Sequence, residues 1–487
     1  MPVKSVFLHL TRVWLSGGRW VVMLGLLGVL SWAYAWSFLR ESPSSLETRQ
    51  PHPMEQRHLA MTLEAARDLQ LDFSQGVSEP LNNWLPHRTD GLVRPLWPWM
   101  AAWLLEAPAS DTESIPSQFA RQAHLAKLSF SLAVLILLGL ACARAFSVPA
   151  ALLTVFLAGF GVFLPSGRFY LPDLLFSVLF LMTWVCCIAA LKRNSLWLYG
   201  IIGFFAALSN LTAPTATPLM LVFVCVSSLR WLWGWIMEHF AAEGGTTLWV
   251  RRNHWLGVIL LVVCHLVTIG PMLSHAYQKL GDATPFHWRW FEDAEEMRTW
   301  TAGHQTLETL RAVPEDRMPS FENYRSAHTT EEIRGRLQGG AVALLKDLLP
   351  LEWASTCPRG GFVAVFAGLL LLLGILVAFV APRAHHAGQA LHPETAPIVL
   401  FTFLALGVCV ADFGWDMKVL DFGGRVLALY APMVLSLLWA CEALVQRVRR
   451  RQMRLPVFFL YQVVLWLLCA AAFWWLIVFL QPASSTA

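Results

Sequence analysis

The chain has 487 residues, is 56% hydrophobic and only 14% charged, and carries a net charge of +4 with a mean hydropathy of +0.52. A water-soluble domain cannot hide that much apolar surface, so lipid must be the solvent for most of it. The small positive charge is spread over many loops with no basic block among aromatics, which excludes a nucleic-acid binder.

A spanning helix needs roughly 20 apolar residues. On that criterion the chain reads as all-α, with spans near 20–39, 126–144, 148–165, 174–191, 196–212, 215–235, 255–274, 361–381, 397–413, 425–445 and 456–480, about eleven in all. Lys and Arg give an independent check, because short cytoplasmic loops carry their excess. Lys4, Arg12 and Arg19 precede the first span; Arg144, Lys192-Arg193, Arg230 with Arg251-Arg252, Arg383 and the Arg447–Arg454 cluster follow in alternate loops. This pattern predicts the N-terminus inside, the C-terminus outside, and both long polar loops, about 40–125 and 275–360, on the external face. Ala33-Tyr34-Ala35 resembles a signal-peptidase site, but Trp36 and the apolar run to Leu39 favour an uncleaved anchor.

In the first loop, Leu59, Leu63, Ala66 and Leu69 recur at helical spacing and predict an amphipathic helix over 54–69. Arg94-Pro95-Leu96-Trp97-Pro98-Trp99-Met100-Ala101-Ala102-Trp103-Leu104-Leu105 is too apolar for a solvated linker and too short to span, which predicts a segment at the membrane surface. A second short amphipathic helix is expected over 117–127. The second loop is dense in aromatics at 285–291, where His287 and Arg289 sit in a headgroup-like setting. A helical patch of mixed charge follows over 292–340, and 344–353 returns to the membrane surface.

Of the nine cysteines only Cys357 falls in a polar loop, and no CxxC pair or His/Cys ligand spacing occurs. Neither a disulfide framework nor a zinc cage is indicated, and adjacent Cys186-Cys187 reads as small apolar filler. No Gly-rich phosphate loop and no large cytoplasmic loop is present, which excludes a nucleotide-driven motor.

The order RPLWPWMAAWLLEAP (94–108), a two-span hairpin, SGRFYLPDLLFSVLFLMTWVCCIAALKR (166–193) and LYGIIGFFAALSNLTAPTATPLMLVFV (198–224) resembles the GT-C class of integral-membrane glycosyltransferases. The resemblance is to the branch of protein O-mannosyltransferases, the aminoarabinose transferase of lipid A and the lipopolysaccharide galacturonosyltransferases. It covers about 1–235, the expected core region, and is weaker over the C-terminal region 236–487. There Gly424-Arg425-Val426-Leu427-Ala428-Leu429-Tyr430-Ala431-Pro432 is similar to a late span of the family.

The resemblance implies a cytoplasmic (inner) membrane enzyme of the cell envelope with its active face outside. It would move a sugar from a polyprenyl-phosphate carrier to a lipid, glycan or protein acceptor. A carboxylate takes the acceptor proton in such a reaction, and cations hold the departing phosphate. In the family the base belongs to an acidic pair after the first span. Here Met54 replaces the usual Asp and Glu55 matches the second member, with Asp72 and Asp90 as fallbacks. Asp173, behind Pro172, is the acid expected in the substrate pocket. Arg94, Arg168 and Arg425 are the cations expected on phosphate, Arg425 most of all because it interrupts a span beside Asp421. A divalent metal ion stays open as a cofactor through the family alone, since the spacing of His124, His265 and His275 gives no site. Two other readings are a non-catalytic relative that binds lipid-linked glycan or supports an envelope complex, and a secondary transporter. The transporter reading lacks inverted repeats and mid-membrane polar residues.

Overall fold

The computed structural model describes residues 3–40, 96–105, 117–167, 172–193, 195–213, 216–240, 248–280, 288–303, 312–314, 317–348, 396–419, 426–450 and 455–480, with isolated positions at 58–59, 62–63, 65 and 309. Among the described residues every regular element is helical. In chain order they are α1 (Val3–Arg40), α2 (Leu96–Leu105), α3 (Ser117–Ala145), α4 (Val148–Ala158), α5 (Asp173–Arg193), α6 (Leu196–Asn210), α7 (Thr217–Phe240) and α8 (Leu248–Leu280). Then follow α9 (Ala294–Gly303), α10 (Phe321–Ala327), α11 (Thr330–Leu348), α12 (Ala396–Asp416), α13 (Tyr430–Arg450) and α14 (Leu455–Leu480). α4 continues through a π turn, Gly159–Phe163, into Leu164–Gly167, and tight turns at Trp288–Trp290 and Val426–Leu429 precede α9 and α13.

Eight of these helices are long and apolar enough to cross a bilayer. Whole rows of large side chains stand exposed on them, among them Trp32, Trp36, Val262, Val267, Phe403 and Trp474. Such surfaces are stable in hydrocarbon and not in water. The chain is an all-α, multi-pass membrane protein. The eight fall on spans expected from the sequence. Of the other three, 196–212 is the 15-residue α6, 361–381 lies outside the described residues, and 425–445 is a tight turn leading into α13, which carries Glu442 and a basic last turn.

Two helices form the centre. The spanning part of α4 is 89% buried and that of α5 72%, against 28–39% for the other six. α1, α3, α12, α13 and α14 pack around them, while α6 and α8 form a close pair beside α5. Gly203 permits that pairing, because a Cβ there would stand 2.2 Å from the Leu261 carbonyl oxygen. In the centre Trp184 of α5 is fully buried and donates its indole N–H to Ser436 Oγ at 3.1 Å.

Long-range hydrogen bonds define two ends of the bundle. At the basic end Arg19 donates to the carbonyls of Ala143 and Phe146 at 2.7 and 2.5 Å, and Arg230 donates to the Leu191 carbonyl. Glu442 Oε1 accepts the Ser147 N–H there at 3.0 Å. A cation thus meets the C-terminus of α3 and an anion the N-terminus of α4, each complementing a helix dipole and its orphan backbone groups. At the loop end His124 Nε2 lies 3.0 Å from the Phe38 carbonyl, and Leu96 N–H donates to Leu211 O at 3.1 Å.

Two expected elements differ in detail. The stretch 117–127 is the start of the continuous α3, because nothing between its polar first turns and its apolar body breaks the helix. Leu344 lies inside α11 and is fully buried in the main core. The amphipathic helix expected over 54–69 lies outside the described residues except at 58–59, 62–63 and 65.

Candidate functional site

The loop end gathers the buried polar groups that a solvent-facing reaction would need. Pro172 stands at the N-cap of α5, its carbonyl accepting the Phe176 N–H at 2.8 Å, so Asp173 occupies the first helical position. A carboxylate there is favoured by the helix dipole. Yet Asp173 is only 4% exposed, which a simple dipole partner on a surface helix would not require. Burial of a carboxylate is costly and marks a candidate site.

α5 divides two hydrophobic clusters at this end. Leu174, Phe176 and Phe180 face the main core. Leu175 and Leu179 face a second cluster with Leu59, Leu96, Trp97, Ala101, Ala102, Ala123, Ala207, Leu211, Ile269 and Met272. α2, in the first-loop segment, buries one face against α3, α5, α6 and α8. Pro98 is tolerated because it lies in the first helical turn, where N–H groups have no intrahelical partner. Lys127 extends its ammonium over the Trp97 ring at 5.0 Å and is itself buried, as are His58, Thr62 and His124. The Thr62 hydroxyl donates to the His58 carbonyl at 2.7 Å, one helical turn back.

The turn after α6 completes this side. Asn210 Nδ2 donates to Thr217 Oγ1 at 2.7 Å, and its Oδ1 accepts the Ala216 N–H at 3.1 Å. This fixes the chain between α6 and α7 and presents the Leu211 carbonyl to α2.

A second polar cluster occupies the last turn of α12. Arg289 donates through Nε to Asp416 Oδ1 at 2.8 Å and through Nη2 to Asp412 Oδ1 at 2.5 Å. Burial works against the Arg289 charge, but Asp416 and Asp412 outweigh it and its pKa is raised. Arg336, 4% exposed, stacks over Trp415 at 4.4 Å and Tyr324 at 5.0 Å. It donates to the carbonyls of Arg289 and Trp415 at 3.2 and 3.4 Å, while its Nε and Nη1 make no hydrogen bond. The two aromatic faces offset part of that desolvation. Trp415 Nε1 also donates to the Arg289 carbonyl, at 2.9 Å.

No family model and no curated protein matches the chain. Of the residues expected from the sequence, Asp173 is described and buried at the loop end. Glu55, Asp90, Arg94, Arg168 and Arg425, with the fallback Asp72, lie outside the described residues. Among the described residues no three His, Cys, Asp or Glu side chains come together in a group that could hold a metal ion. Sequence reasoning passed over Lys127, Arg336, Asp412 and Asp416. The available signals were a lysine four residues after Ala123 on an apolar face, and two acids one helical turn apart at the end of a span.

Proposed function

We propose that the protein is a GT-C-type membrane glycosyltransferase, transferring a sugar from a polyprenyl-phosphate carrier to a lipid, glycan or protein acceptor at the loop end. The observation that carries the reading is Asp173. It is a buried carboxylate opening one of two central helices, at the end where the first-loop tryptophan segment packs against the bundle. The order of sequence elements around it resembles that family. On this reading the loop end faces outside the cytoplasmic membrane, where no nucleotide sugar is present and the lipid must bring the activated donor.

In the transfer, the acceptor oxygen forms a bond to the anomeric carbon as the bond to the carrier phosphate breaks. The acceptor proton passes to a carboxylate and the phosphate leaves as an anion, with inversion at carbon. Glu55, Asp173 and Asp90 are the carboxylates the reading assigns to this work. Arg94, Arg168 and Arg425 are assigned to the phosphate, since a guanidinium grips two oxygens at once. A buried site strengthens both interactions relative to water.

The test replaces Asp173 and Glu55 separately with alanine in purified, folded protein and follows sugar transfer from the lipid carrier. Loss of about a hundredfold or more in at least one variant is expected for a proton-accepting or substrate-holding carboxylate. Transfer that survives both changes overturns the assignment. The substitution of Met54 for the family's Asp favours one other reading, a glycan-binding relative without catalysis. It predicts carrier binding by the wild-type protein with no turnover.

A further inference from the structure

The last five residues of α12, Asp412-Phe413-Gly414-Trp415-Asp416, all engage neighbours from other parts of the chain. Asp412 and Asp416 both accept from Arg289, through its Nη2 and Nε respectively. Gly414 meets α11 backbone to backbone: a Cβ on Gly340 would stand 1.8 Å from the Gly414 carbonyl oxygen. Trp415 lies under Arg336 and 5.8 Å, ring to ring, from Trp290. Phe413 points the other way and packs against Phe176 and Phe180 of α5 at centroid distances of 6.2 and 6.0 Å. Phe176 lies three residues beyond Asp173, on the same side of the helix. The second polar loop is therefore joined to the helix that carries Asp173 by one turn of α12.

We infer that Arg289 is a positioning residue for Asp173, acting through the Asp412–Asp416 turn and Phe413. This rests on the functional reading only for its catalytic consequence; the mechanical coupling stands without it. The cluster suits that task. Its two cations and two carboxylates balance, and Gly414 and Trp415 pack the same turn against α11, Arg336 and Trp290. Interiors packed this tightly transmit displacement instead of absorbing it. Losing the Arg289 clamp leaves two adjacent buried carboxylates without the cation that joins them, and releases the turn that carries Phe413 from the second loop.

The experiment uses full-length protein in lipid nanodiscs, comparing wild type, Arg289→Ala, Asp416→Asn and the charge swap Arg289→Asp with Asp416→Arg. Hydrogen exchange is read at the amides of 173–180 and, as a control, at 128–140 in α3. Faster exchange at 173–180 in both single variants, no change at 128–140, and recovery in the swap are expected. In the transfer assay Arg289→Ala should lower kcat about tenfold to a hundredfold. KM for the lipid donor should stay within about twofold, as expected where orientation and not binding is lost. Unchanged exchange at 173–180 while the 288–348 segment loosens overturns the inference. If wild type transfers no sugar, the functional reading falls and the exchange comparison still decides the coupling.

Discussion

At the scale of single residues, charge placement decides what each group does. Asp173 and the Asp412/Asp416 pair are both acids at helix ends, but only the pair sits at a C-terminus, where a carboxylate opposes the helix dipole. Arg289 offsets that penalty, which explains why a cation from a distant loop is drawn there. His328 shows the same logic in the second loop. It stacks on Tyr324 at 4.0 Å, and its Nε2 lies 2.9 Å from Glu292 Oε1. Partial burial lowers its pKa, yet the Tyr324 carbonyl and Glu292 outweigh this and raise it above 6.5. A raised folded pKa means that the contribution to stability is present below 6.5 and lost as pH rises through the folded value. Limited proteolysis should therefore cut the 288–348 segment faster at pH 8 than at pH 6, after correction for protease activity. His328→Ala should remove the difference, and a pH effect that persists in the variant would refute the role. The sequence made Asp173 legible through its position behind Pro172 at the end of a span. It could not make Arg289 legible as a clamp, because its partners stand 123 and 127 residues away and only tertiary packing joins them.

At the scale of elements, helix type and extent were the most readable features, because a lipid-facing helix must be apolar over its whole length. Which helices are central was not readable. α5 is the most apolar of the eight only by a narrow margin and α4 falls among the rest, so apolarity does not single out this pair; packing buries them. α2 was readable as a distinct segment but not as a docked one, since its tryptophans suit a membrane surface and a protein groove equally well. Two element-level predictions follow from the contacts. Glu442→Ala removes the carboxylate that accepts the Ser147 N–H and should cost about 1.5–3 kcal/mol, as for a hydrogen bond to a charged group. Glu442→Gln keeps an acceptor, so its apparent Tm in detergent should fall less; equal losses would argue against the trans-cap. Gly340→Ala forces α11 away from α12 and should cost about 1–3 kcal/mol by overpacking. The loss should appear as faster exchange in 330–344 with the α6–α8 pair unchanged.

At the scale of the whole molecule, the described contacts sort into a basic end and a loop end, and the sequence offers its own reason to orient them. Basic residues of the short connections collect at the first end, as expected for a cytoplasmic face. This predicts that Ser326→Cys is modified by a membrane-impermeant maleimide in intact cells, whereas Arg193→Cys is modified only after permeabilisation; both positions are exposed. The reverse pattern would invert the topology and put Asp173 on the cytoplasmic side, where a lipid-linked donor loses its rationale. The all-α membrane class was legible from composition and periodicity. The site was legible only in part, because it is assembled from loops and helix ends far apart in the chain, and periodicity carries no information about which ends meet.

The proposed discharge of a lipid-linked sugar can be followed directly. The most direct measurement incubates purified protein in proteoliposomes with polyprenyl-phosphate-linked mannose, aminoarabinose and galacturonic acid, each beside its nucleotide-linked counterpart. Release of free polyprenyl phosphate is followed with acceptor lipid, glycan and protein fractions present. Consumption of at least one lipid-linked donor, none of the nucleotide-linked donors, and loss of the reaction in Asp173→Asn are expected. A folded protein that consumes no lipid-linked donor, or that turns one over equally well as Asp173→Asn, would contradict the proposal.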